Sequence, residues 1–70
     1  MKQYRLGSDQ NFCAPGVVRW AINGAKFDKD RPQMVKVIAD GWNVPKQAAA
    51  ALVTGKVPYT VEDETVVFEA

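Results

Sequence analysis

The sequence lacks histidine altogether and contains one cysteine, Cys13, and one serine, Ser8. Histidine is the commonest general base, and nucleophilic catalysis pairs a serine or cysteine with such a base, so these residues cannot form a catalytic triad. A structural zinc site needs three or four cysteine or histidine ligands, which the chain does not have. We therefore expect no enzymatic activity, no bound metal and no cofactor.

Long hydrophobic runs are also missing. No stretch approaches the ~20 apolar residues that a membrane-spanning helix needs, and residues 1–9 are too polar for a signal peptide. A single cysteine cannot form an internal disulfide, although small secreted domains usually depend on disulfides. These absences together predict a cytoplasmic protein that does not enter the membrane.

What the chain does have is apolar surface and an uneven charge. Hydrophobic residues make up 47% of its 70 residues, which favours a folded domain over a disordered chain. The formal net charge is +1, but residues 1–36 contain seven basic and three acidic side chains, whereas residues 37–70 contain two basic and five acidic ones. A basic surface is therefore expected around the first two helices, with contributions from Arg19, Lys26, Lys29, Arg31 and Lys36.

The first predicted helix follows Pro15, because proline suits the first turn of a helix. Its apolar face is assigned by the spacing i, i+3, i+4, i+7 to Val17, Trp20, Ala21 and Gly24. Gly24 is interpreted as a left-handed stop for this helix. Cys13, just before the helix, is expected to be a small buried hydrophobic residue.

Two more helices are predicted in the middle of the chain. The second begins at Asp30 or Arg31, before Pro32, and the third has Asn43 as its capping residue and ends at Gly55. The core-facing positions of the second helix are Val35, Ile38, Ala39 and Trp42.

A switch to alternating apolar residues predicts a β-hairpin over residues 57–68, with its turn at Glu62–Glu64. Pro58 cannot donate a ladder hydrogen bond, so the first strand should lie at a sheet edge. Residues 1–6 are compatible with a short strand. The fold class is therefore α+β, with three short helices, a helix-turn-helix-like pair over residues 31–55 and a C-terminal hairpin, in one domain.

Residues 38–56, IADGWNVPKQAAAALVTGK, resemble without gaps the helix-turn-helix of Cro/Xre-type bacterial and phage repressors. Asn43 takes the turn position where that family usually has glycine, and asparagine enters the left-handed region more readily than most residues. The hairpin suggests a winged variant. The family's buried positions fall on Ile38, Ala39, Trp42, Val44, Ala49 and Leu52.

This resemblance implies that the third helix is a recognition helix in the major groove of double-stranded DNA. Lys46 and Gln47 would reach phosphates or base edges, while Thr54 would contact the DNA backbone. Alanines give the helix little hydrogen-bonding capacity, and an acidic hairpin tip would repel phosphate if used as a wing. The candidate DNA-binding residues are Lys46, Gln47, Thr54, Lys56, Arg31 and Lys36.

A second hypothesis is a non-enzymatic adaptor without direct DNA binding, in which the two helices only pack together. Such a module would bind a protein partner through the alanine-lined third helix or the free hairpin edge. A homodimer formed through the apolar hairpin is a further expectation. Residues 55–70, GKVPYTVEDETVVFEA, resemble the C-terminal end of short proteins encoded on bacterial plasmids, phages and integrative elements, which implies a mobile-element protein.

Overall fold

Three helices and three strands make up the computed structural model, which describes all residues from 1 to 70. This architecture confirms the α+β class, the C-terminal hairpin and the short N-terminal strand. None of the helices combines the length and the apolar character needed to cross a membrane. In chain order the elements are β1 (Gln3–Leu6), α1 (Ala14–Gly24), α2 (Arg31–Trp42), α3 (Lys46–Val53), β2 (Tyr59–Glu62) and β3 (Thr65–Glu69).

The strands form one antiparallel sheet in the order β1-β3-β2, so the last strand of the chain lies in the middle. Tyr4, Phe68 and Tyr59 occupy one cross-strand row, and the rings of Tyr4 and Phe68 stack with centroids 5.4 Å apart. Val66 and Phe68 are buried in the core shared with the helices. The strand after Pro58, β2, is an edge strand, as the missing amide of proline requires.

The hairpin turn is tight and is held to a distant part of the chain. Asp63 and Glu64 both have positive φ, 50° and 61°, which is the geometry of a type I′ turn. The Ser8 hydroxyl donates a 2.5 Å hydrogen bond to the Glu64 carbonyl and accepts one of 2.7 Å from the amide of Ala14. The acidic tip therefore lies beside the start of α1.

Two sequence-based expectations for α1 are wrong. Its buried residues are Ala14, Val18 and Ala21, whereas Trp20 is 53% exposed. Gly24 does not have a left-handed φ, and the residue that follows it is right-handed helical. Glycine at position 24 instead allows a close approach of α2, because a Cβ there would lie 2.6 Å from the sulfur of Met34. Ala14, Val18 and Ala21 share one face of the helix, and Trp20 points to solvent because successive helical residues turn by about 100°.

The connection between α2 and α3 agrees with the sequence in one respect and differs in another. Asn43 is left-handed, with φ 54° and ψ 47°, and ends α2. The capping residue of α3 is Pro45, so Asn43 does not cap that helix. Gly55 has φ 77°, which confirms the predicted left-handed conformation just beyond α3.

Trp42 is half-buried and packs against the apolar core, in keeping with the core face predicted for α2. Its indole N–H donates a 2.8 Å hydrogen bond to the Gly7 carbonyl, which fastens the loop after β1 to the end of α2. The fully or nearly buried residues are all apolar, so the core itself holds no charged or polar side chain.

Candidate nucleic-acid interface

The outer surface of α3 begins with Lys46 and Gln47, which are both exposed. The opposite face packs into the core through Ala48, Ala49, Leu52 and Val53. Successive helical residues turn by about 100°, so the solvent-facing stripe continues from Lys46 through the half-buried Ala50 to the exposed Thr54. The helix thus presents its polar side chains at its two ends, separated by alanine methyl groups.

Three of the predicted DNA-binding residues meet in an open cleft between α2 and the start of α3. This surface, which we name the basic cleft, has a volume of about 490 Å³ and no acidic residue in its lining. Lys36 and Lys46 come from different helices and converge only because α3 folds back against α2. The lining residues are Arg31, Pro32, Val35, Lys36 and Lys46.

The third cation of the cleft, Arg31, already has partners within the chain. Its Nη2 atom lies 2.6 Å from Oδ1 of Asp28, and its Nε donates a 2.9 Å hydrogen bond to the Ala25 carbonyl. These contacts hold the loop after α1 to the first turn of α2. The neighbouring aspartate offsets part of the guanidinium charge, so Lys36 and Lys46 are the stronger candidates for phosphate contacts.

The other three predicted residues lie elsewhere around α3. Gln47 and Lys56 line a separate cleft between α3 and the sheet, together with Tyr4 and Val57. Thr54 lines a third cleft with Lys26, on the side of the loop after α1. The six predicted residues therefore line three clefts around α3, and Arg31 lines both the basic cleft and the cleft that contains Thr54.

The hydroxyl of Thr54 forms a hydrogen bond with the backbone of the preceding helical turn. Its Oγ1 donates a 2.6 Å hydrogen bond to the Ala50 carbonyl one turn earlier, and the side chain remains exposed. Such back-bonding to the i−4 carbonyl is common for threonine at helix ends. The methyl group of Thr54 and the oxygen's remaining lone pairs are what it can offer to a ligand.

The acidic hairpin tip is not part of these clefts. Neither Asp63 nor Glu64 lines a cleft with Lys46, Gln47 or Lys56, because Ser8 holds the tip beside α1. A phosphate in the basic cleft would therefore not lie against the tip.

No family model matches this chain, and comparisons with curated proteins and with solved structures found no match.

One surface was missed by the sequence reasoning. A groove of about 340 Å³ runs between α1 and α2, and we name it the aromatic groove. Cys13 belongs to this groove and is exposed, contrary to the expectation that it would be buried. Helical periodicity assigned Trp20 to the core and so concealed the groove. Its lining residues are Phe12, Cys13, Gly16, Val17, Trp20 and Val37.

Proposed function

We propose that this protein binds double-stranded DNA through α3 and the basic cleft, as a small regulator or accessory protein of a mobile element in the bacterial cytoplasm. The observation that carries the proposal is the convergence of Lys36 and Lys46 beside the exposed start of a helix. Phosphate contacts from lysines supply most of the affinity for DNA and fix the orientation of the protein on the duplex.

The geometry of the α2–α3 connection supports the interpretation of these helices as a helix-turn-helix. A left-handed Asn43 ends α2, and three residues later α3 begins. Ile38, Ala39, Ala49 and Leu52, at positions where the resemblance implies burial, all belong to the core. Two helices joined in this way present the start of the second helix outward, where a recognition helix contacts base edges.

Base contacts would come from Gln47 and from the methyl group of Ala50. The glutamine amide can donate a hydrogen bond to N7 of adenine and accept one from its N6 amino group in the major groove. Alanine can contact the methyl group of thymine. The exposed surface of α3 offers no arginine for guanine. Lys46 at the start of α3 can reach a guanine or a phosphate, and Lys36 would contact a flanking phosphate.

Fluorescence anisotropy with a labelled duplex tests the proposal. The Lys36→Ala/Lys46→Ala double variant should lower the slope of log affinity against log salt by about 2, since each phosphate contact contributes ~0.9. Lys29→Ala is the matched control, because Lys29 is exposed and lines none of the clefts around α3. Absence of binding at low salt, or an equal loss in the control, would refute the proposal.

The alternative is a protein-interaction module without direct DNA binding, and the exposed Trp20 favours it. The surfaces first considered for that role are small. Ala48 and Ala49 are buried, and the edge strand β2 is four residues long. In the anisotropy experiment this alternative predicts no salt-dependent binding to the duplex by any variant.

A further inference from the structure

Cationic side chains border α3 on two opposite sides. At about 100° per residue, Ala48 and Ala51 lie roughly 140–200° around the helix from Lys46. Lys46 belongs to the basic cleft on the α2 side, whereas Ala48 and Ala51 line the cleft between α3 and the sheet, which we name the sheet cleft. Gln47 and Thr54 lie at intermediate angles and form the exposed ridge between the two sides.

The cations on the sheet side are Lys56 and Lys2. Lys56 lines the sheet cleft, and its position is set by the end of α3. Its backbone amide donates a 3.0 Å hydrogen bond to the Ala51 carbonyl past the left-handed Gly55, as in a Schellman motif. The Nζ atom of Lys2 lies 5.9 Å from the centroid of the Tyr4 ring, which lines the same cleft. Both lysines are exposed, and neither forms a salt bridge within the chain.

Acidic side chains are kept away from both clefts. No aspartate or glutamate lines either of them. The hairpin tip lies at the other end of the sheet, because β3 runs from the tip towards Ala70, and Thr65 and Ala70 are roughly 17 Å apart along the strand. Glu69 is nearer, but successive strand residues point to opposite faces, so Glu69 faces away from the sheet cleft and lines another cleft with Gln3. Both sides of α3 therefore offer uncompensated positive charge.

We propose that the two sides of α3 bind the two phosphate backbones that border one major groove, which makes a B-form DNA duplex the ligand. Lys36 and Lys46 contact one backbone, and Lys2 and Lys56 contact the other. This inference rests on the proposed DNA binding and adds the second backbone to it.

The dimensions of the ligand follow from this arrangement. The major groove of B-form DNA is about 12 Å wide, close to the 10–12 Å diameter of a helix with its side chains. Ala50 and Ala51 have short side chains, which keep this part of α3 narrow. The major groove of duplex RNA is too narrow for side chains to read. A single strand has only one backbone and would leave one pair of lysines without a phosphate.

Fluorescence anisotropy with a duplex tests the second backbone. Lys2→Ala/Lys56→Ala should lower the slope of log affinity against log salt by about 2, since each phosphate contact contributes ~0.9. Arg5→Ala/Lys29→Ala is the matched control, because it removes two exposed cations that line neither cleft, and it should leave the slope unchanged. Circular dichroism checks that both variants remain folded.

The outcomes separate this inference from the proposed function. A normal slope in Lys2→Ala/Lys56→Ala, together with a lowered slope in the double variant of the basic cleft, would overturn the second backbone and leave DNA binding standing. An equal effect in the Arg5→Ala/Lys29→Ala control would overturn it as well. A wild-type protein that binds no duplex at low salt would overturn both proposals.

A comparison of ligands of one sequence tests the groove. Duplex DNA should bind at least about tenfold more tightly than duplex RNA or single-stranded DNA at the same salt concentration. The C5 position of pyrimidines faces the major groove, so a duplex with a bulky glucosyl group on C5 of its cytosines should also bind at least about tenfold more weakly. Equal affinity for the plain and the substituted duplex, or tighter binding to RNA or to a single strand, would overturn the inference.

Discussion

Replacing Gly24 by alanine tests how α1 and α2 fit together, because two physical effects of opposite sign compete at this position. Alanine has a higher helix propensity than glycine by about 0.8–1 kcal/mol, which would stabilise the end of α1. The added Cβ, however, would lie 2.6 Å from the sulfur and 2.9 Å from the Cγ of Met34. Overpacking of this kind costs typically 1–3 kcal/mol.

The structure predicts that the steric effect prevails, since Met34 is only 6% exposed and has little room to move. Gly24→Ala should lower the free energy of unfolding by about 1–2 kcal/mol, which for a domain of this size lowers Tm by roughly 4–16 °C. In a Met34→Ala background the clash is absent, and the same Gly24→Ala change should stabilise the protein by about 0.5–1 kcal/mol. The sign of the effect therefore reverses.

Urea denaturation followed by circular dichroism measures all four proteins of this cycle. Met34→Ala alone should cost about 2–5 kcal/mol, so the series is measured in sucrose, which favours the folded state of every variant. A coupling energy of about 1.5–3 kcal/mol between the two positions is expected. An equal destabilisation by Gly24→Ala in both backgrounds would refute the reasoning, because it would indicate that the backbone itself needs glycine.

Two further predictions concern the hairpin turn. Ser8→Ala removes the hydroxyl that joins the carbonyl of Glu64 to the amide of Ala14, and it should lower the free energy of unfolding by about 1–2 kcal/mol, as measured by thermal melting. Ser8→Thr should retain most of the stability, and equal melting temperatures of all three proteins would contradict this prediction. Asparagine and glycine accept positive φ readily, so Asp63→Asn combined with Glu64→Gly should stabilise the protein by about 1 kcal/mol. A variant with serine at both positions controls for the lost charge and should be stabilised less.

Local signals in the sequence predicted most of the elements. Pro15 and Pro32 mark the first turns of α1 and α2, and Gly55 adopts the left-handed conformation that follows α3. Each of these residues acts through its own backbone preference, which does not depend on distant contacts. The α+β class follows from the same signals together with the alternation of apolar residues in the hairpin.

The orientation of α1 could not be predicted in this way, because its sequence carries two apolar faces that share Ala21. Hydrophobicity favours the face with Trp20, but the face of Ala14 and Val18 is the one that packs. The choice depends on packing against the other elements of the core, and contacts between different helices, such as that of Gly24 with Met34, are not visible in the sequence of α1 alone. A long side chain at the crossing would have kept the helices apart.

The candidate interface was predictable only in part. The exposure of Lys46 and Gln47 follows from the period of α3, but the approach of Lys36 to Lys46 requires the packing of α3 against α2. The position of the acidic tip depends on the bond from Ser8 to Glu64, whose partners are 56 residues apart in the chain. Contacts at this separation leave no local pattern in the sequence.

The measurement that tests the central claim most directly is an NMR titration of labelled protein with a mixed-sequence DNA duplex, at low and at high salt. DNA binding through α3 predicts shifts of the backbone amides of Lys46, Gln47 and Lys36 at low salt, and their loss at high salt. Amides around the hairpin tip, such as that of Glu64, should stay unchanged. An absence of shifts at low salt, or shifts confined to the aromatic groove, would contradict the proposed role of α3 and the basic cleft.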